Sequence, residues 1–185
     1  MARYYRRRYR TIIRAPKKKW CSNLKDINLQ ASVPSSGSTS TVHDQVLLAQ
    51  NKSESTTPTP VVIKTGNFKL QADAHSIGVS VLGTNTIHAT LYIMYVPEGM
   101  LPLTTTGMQL LIDNHPEWIM AWRVLEGGLT STSGDYDSTR FTVSSRLKRN
   151  LNSGDSVYGI VIANDVNPNV TFIVRGKCQF WTCAN

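Results

Sequence analysis

The chain is predicted to fold as one all-β domain, an antiparallel β-sandwich of the jelly-roll kind, behind a disordered basic N-terminal arm. Three observations carry this expectation. Apolar residues recur at every second position in short runs, the period of a half-buried strand. Clusters of Ser, Thr, Asn, Pro and Gly separate those runs. Nine of the 20 basic residues, and none of the 12 acids, fall within the first 19 positions.

The arm comes first. Arg3, Arg6, Arg7, Arg8, Arg10, Arg14, Lys17, Lys18 and Lys19 repel one another. Tyr4, Tyr5, Tyr9, Ile12 and Ile13 are too few to build a core, so residues 1–19 are not expected to fold alone. The whole chain carries +8; removing the nine arm cations leaves residues 20–185 at −1. Residues 20–185 suit one domain with a sizeable core.

The strands follow in order. Leu24, Ile27, Leu29, Ala31 and Val33 mark the first, with a slip after Leu24. Pro34 and a Ser/Thr/Gly run form a loop, and a second strand covers 42–49. The clearest alternation lies at 67–74: Phe68, Leu70, Ala72 and Ala74 share the face expected to enter the core, and Asn67, Lys69, Gln71 and Asp73 share the other. Ile77, Val79 and Val81 repeat the pattern as a further strand. Residues 87–96 are apolar on both faces and read as a central strand, ended by Pro97-Glu98-Gly99. A short helix is expected at 108–112, before His115-Pro116. Strands at 117–125, 139–143, 156–163 and 170–181 complete nine or ten, with Ser-Gly-Asp turns at 133–135 and 153–155. Without βαβ alternation the sheets are expected to be antiparallel, and the Cys-Trp-Cys spacing of an immunoglobulin domain is absent.

Several chemistries lack their signatures. No Gly-x-Ser-x-Gly elbow, Gly-rich phosphate loop or His-Glu-x-x-His occurs, so no enzyme and no cofactor is expected. His43, His75, His88 and His115 are scattered, and Asp135 and Asp137 sit in a turn-rich loop. Cys178 and Cys183 have no histidine at ligand spacing, so no metal site is expected; with Cys21 they read as three reduced thiols. No run of 18 apolar residues exists for membrane insertion, and no apolar stretch follows the basic start as in a secretory signal. The glycosylation patterns at Asn51 and Asn169 are read as chance.

What remains is polyanion chemistry. Arginine presents a planar fork that matches phosphate oxygens. Tyr4, Tyr5, Tyr9 and Trp20 lie among the cations, where they can stack on unpaired bases. This pairing favours single-stranded nucleic acid over a purely ionic tail, and a nuclear import signal can coexist with it. Arg146, Lys148 and Arg149 form a second basic cluster, read either as a continuation of the cationic lining or as a solvated strand end. Trp118, Trp122 and Trp181 are expected to anchor the core, with subunit contacts as the other reading.

Five blocks then resemble a known group. MARYYRRRYR (1–10), ATLYIMYVPEG (89–99), NHPEWIMAWRVL (114–125), SSRLKRNLNSGD (144–155) and RGKCQFWTCAN (175–185) are similar to the capsid proteins of small circular Rep-encoding single-stranded DNA viruses, circovirus-like groups above all. The resemblance implies a virion shell of about sixty copies of one chain. It also implies self-assembly with icosahedral symmetry, an arm directed inward onto circular single-stranded DNA, and entry into the host nucleus through its import machinery. It gives the DNA-binding role to Arg3, Arg6, Arg7, Arg8, Arg10, Arg14 and Lys17, Lys18 and Lys19; this arm is shorter than in animal circoviruses. No host receptor is implied. A small RNA-virus coat protein would share the arm and the fold, because phosphate contacts do not report the sugar. A cellular single-strand-binding module usually carries cations or aromatics on the sheet face itself, and the near-neutral body counts against it.

Overall fold

A computed structural model describes residues 19–32, 40–52, 62–78, 86–128, 138–166 and 170–184. In chain order the elements are β1 (Cys21–Ser32), β2 (Ser40–Gln50), β3 (Ile63–Gly78), β4 (Thr86–Val96), α1 (Thr105–Asn114), β5 (Ile119–Gly128), β6 (Thr139–Leu151), β7 (Ser156–Val166) and β8 (Val170–Ala184). Two four-stranded sheets form, one in the order β1-β8-β3-β6 and one in the order β2-β7-β4-β5. Every pairing is antiparallel. The predicted all-β sandwich is the fold.

The pairing is nested. β1 joins β8, β2 joins β7, β3 joins β6 and β4 joins β5, while β3·β8 and β4·β7 knit the pairs into sheets. This is a long hairpin wound into two layers, the strand order of an eight-stranded jelly roll.

The core lies between the sheets. Phe68, Leu70, Ala72 and Ala74 of β3 are buried there, as the alternation requires. Ile27, Leu29 and Ala31 of β1 join them, whereas Leu24, on the opposite parity, is 64% exposed. The slip after Leu24 is therefore a change of face within one strand. β4 and β7 are apolar on both sides for a specific reason. Ala89, Leu91, Ile93, Val157 and Val161 enter the central core. Met94, Val96, Ile160 and Ile162 face outward and are covered by Met108, Leu111 and Ile112 of α1.

Five local expectations are corrected. The described residues hold eight strands, because β3 runs without a break to Gly78 and absorbs Ile77, which points outward; Val79 and Val81 lie outside the described residues. The helix is longer than 108–112, since the Thr104 hydroxyl accepts from Gly107 N at 3.2 Å and caps it a turn earlier. Glu117 and Trp118 belong to a 3-10 turn, Pro116–Trp118, ahead of β5, because Pro116 cannot donate to a ladder. β6 extends well past Val143, placing the second basic cluster inside a strand. The tryptophans divide: Trp118, half-buried, packs against the apolar cluster under α1 as expected, whereas Trp181 is half-buried on an outward row and Trp122 is 62% exposed. Trp122 pairs with Tyr92 on the outer side of an edge strand, where it is not covered by α1 or any other described element.

The Ser153-Gly154-Asp155 turn joins β6 to β7, with Gly154 at φ 79°. Buried Asp155 accepts from Tyr95 Oη at 2.8 Å and from Asn152 N at 2.9 Å. Asn51 is buried beside this turn and donates to the Leu151 carbonyl at 2.9 Å, which excludes it as a glycan acceptor in the folded chain. No disulfide links the cysteines; Cys21 is exposed, while Cys178 and Cys183 are buried. The turn at 133–135 lies outside the described residues.

Candidate nucleic-acid interface

The ladder of the β1-β8-β3-β6 sheet fixes which side chains meet. Residues directly opposite one another share a face, and successive rows alternate. Phe141, Ala72, Gly176 and Ile27 form one row, and Val143, Leu70, Cys178 and Lys25 another; these rows turn toward the core. The rows between them turn outward. They are Arg140, Asp73, Arg175 and Asn28; then Thr142, Gln71, Lys177 and Asp26; then Ser144, Lys69, Gln179 and Leu24. Beyond a β-bulge at Asn67 comes the row of Lys148, Gly66, Trp181 and Ser22.

Charge on this sheet is one-sided. Its strands hold Lys25, Lys64, Lys69, Arg140, Arg146, Lys148, Arg149, Arg175 and Lys177 against Asp26 and Asp73 alone, nine less two, or +7; Lys25 and Arg149 lie off the outward rows, which leaves seven less two, or +5, for the outer face. The rest of residues 20–185 has two cations and ten carboxylates, or −8. The near-neutral body of the sequence is therefore a sum of opposites, so its neutrality does not count against a cationic sheet face. Two local pairs temper the face: Lys177 with Asp26 at 3.2 Å and Arg140 with Asp73 at 3.3 Å. Both are exposed and worth at most about 1 kcal/mol, so the cations stay available to other anions.

The arm begins at one end of this face. Lys19 is exposed, and the Trp20 ring centroid lies 5.2 Å from Lys148 Nζ. Lys148 reaches Trp20 by lying over Gly66. A Cβ built on Gly66 would come within 2.6 Å of Lys148 Cγ, so only glycine leaves the path open. Arg146 is exposed and alternates with buried Ser145, on the outward side with Lys148. Arg149 is not in this group. Its guanidinium sits 5.8 Å over the Tyr95 ring and donates to the Glu117 carbonyl, at the end of the sandwich. Thus Trp20 and Lys148 come together, with Lys19 next in the chain and Arg146 on the same side of β6, and Arg149 stands apart. Arg3, Arg6, Arg7, Arg8, Arg10, Arg14, Lys17, Lys18, Tyr4, Tyr5 and Tyr9 lie outside the described residues.

Sequence reasoning passed over Lys69, Arg140, Arg175 and Lys177. The signal was present: Lys69 lies on the polar side of the 67–74 alternation, and Arg175 and Lys177 stand two apart in a strand. Only the pairing of distant strands places the four on one surface.

Among the described residues no group of three or more His, Cys, Asp or Glu is placed to hold a metal. No family model and no curated protein matches the sequence. Among solved structures, the chain is similar to an arabinose-bound α-L-arabinofuranosidase at a TM-score of 0.36 and 14% identity, over 88% of this chain. The match spans 23% of that enzyme's chain, a distant and partial likeness that carries no argument about activity.

Proposed function

We propose that this chain is a structural nucleic-acid-packaging protein, the coat subunit of a small virus, with the basic arm as its packaging element. The observation that carries the reading is the distribution of charge. Nine cations precede a folded sandwich, and the last of them, Lys19, adjoins the cationic outer face of the β1-β8-β3-β6 sheet. Counterion release from phosphates drives such binding without sequence preference. The resemblance to capsid proteins of circular single-stranded DNA viruses supports a closed shell of identical chains and DNA as the cargo.

A cellular single-strand-binding module is the second reading, and one observation favours it: the cations of the body lie on a sheet face. Particle mass separates the two. Electron microscopy of the purified chain is expected to show closed shells; a monomer or small oligomer at every protein concentration refutes the coat-protein reading. Deleting residues 2–19 is expected to leave the circular dichroism of the domain intact. For single-stranded DNA, the slope of log K against log salt should fall by about 6, from nine lost contacts at about 0.7 each. An unchanged slope would remove the arm from packaging.

A further inference from the structure

We infer that the outer face of the β1-β8-β3-β6 sheet is a second binding surface for the phosphodiester backbone of single-stranded nucleic acid, centred on a cleft between Arg123, Arg140 and Arg175. This inference rests on the packaging reading and extends it from the arm to the folded body.

The cleft has a volume of about 540 Å³ and is also lined by Gln71, Asp73 and Thr142. Its three guanidinium groups come from three strands and both sheets: Arg175 from β8, Arg140 from β6, and Arg123 from β5 of the opposite sheet. Arg123 reaches the cleft around the edge of the sandwich and is held by donating to the Thr142 carbonyl at 3.0 Å. Arg175 donates through Nε to Asn28 at 3.4 Å, which fixes the guanidinium and leaves its terminal nitrogens for another acceptor. Among the described residues Asp73 is the one carboxylate in the lining, and it pairs with Arg140. The local sum is +2, suited to one phosphate or two adjacent phosphates.

The occupant follows from continuity. Lys148, against Trp20 at the root of the arm, and Arg140, in the cleft, lie on the same side of β6, eight positions apart. That is roughly 25 Å along a strand. Lys69 and Lys177 occupy the rows between them. A polyanion held by the arm therefore finds cations along the whole path to the cleft. A small anion would use the cleft but not the track.

The test uses the full chain and a fluorescein-labelled oligothymidylate, with anisotropy read across a salt series. A triple variant, Arg123→Gln, Arg140→Gln and Arg175→Gln, is compared with an arm variant that loses as many charges, Arg6→Gln, Arg7→Gln and Arg8→Gln. Lys52→Gln, at an exposed position away from the face, is the control. The cleft variant is expected to lower the slope of log K against log salt by about 2, with the arm variant close to it and Lys52→Gln unchanged. A cleft variant that keeps the parent slope while the arm variant loses its own overturns this inference and leaves the packaging reading standing. Parent slopes in both variants overturn both. A parent slope with altered light scattering would show that the face joins copies of the chain, and that too overturns the inference.

Discussion

The two sheets share one core but differ on their outer surfaces. Outside the β2-β7-β4-β5 sheet, Met94, Val96, Ile160 and Ile162 lie under α1. Outside the β1-β8-β3-β6 sheet, the corresponding positions are Lys69, Gln71, Asp73, Arg140, Arg175 and Lys177. A sandwich strand needs only one apolar face. A strand that is apolar on both faces announces a third layer, and a strand that is cationic on its second face announces a partner or solvent.

Substitutions at matched depths test this difference. Phe172→Ala, inside the shared core, is expected to cost about 3–5 kcal/mol. Met94→Ala, on the outer side of β4 yet fully buried under α1, is expected to cost about 2–5 kcal/mol. Lys69→Ala, at an outward position of the other sheet, should stay within about 0.5 kcal/mol. Denaturant unfolding gives all three values. If Met94→Ala proves as mild as Lys69→Ala, α1 does not form a stabilising layer and the contrast between the outer faces fails.

A smaller effect sharpens the contrast at the end of the sandwich. Burial, and then the hydrogen bond to Asp155, push the Tyr95 phenol up to about 12. The folded state thus holds this proton more tightly than the unfolded chain, where a tyrosine titrates near 10. The contribution of Tyr95 is whole below about pH 10 and is lost as pH rises through the folded value. Tyr95→Phe leaves buried Asp155 short of a donor and is expected to cost about 1–3 kcal/mol at neutral pH. The variant should also lose less stability than the parent between about pH 10 and 12. Equal alkaline losses in the two proteins would show that this proton is not linked to folding.

Much of the sandwich was legible in the sequence because strand periodicity is local. Phe68, Leu70, Ala72 and Ala74 declare their face by spacing alone, and the two-sided run at 87–96 declares a central strand. The longer helix was harder to read, since its start depends on a cap at Thr104 rather than on apolar spacing. Trp122 misled because bulk apolar residues are normally buried, while register puts this one on the open side of an edge strand. The candidate interface was half legible. The arm is visible as a charge run, but the cationic face is not, because it joins Arg140, Asp73, Arg175 and Asn28 from four segments across the chain. A net charge near zero conceals such a surface, since summation discards position.

The nested pairing also has a kinetic consequence. Met94 and Ile119 close the shortest loop among the four nested pairs, whereas Ser32 and Thr171, at the near end of β1·β8, enclose most of the chain. Loop-closure entropy makes the outer pair about 1.5 kcal/mol harder to nucleate from an open chain. Folding is therefore expected to zip from β4·β5 outward, slowly for a domain of this size, with β1 docking last. Pulse-labelled hydrogen exchange should then protect β4 and β5 amides before those of β1, and the reverse order would contradict the scheme. On a ribosome the same order means that β1, made well before its partner, waits for β8. The cationic face, which needs β8 between β1 and β3, is completed only when nearly the whole chain has emerged.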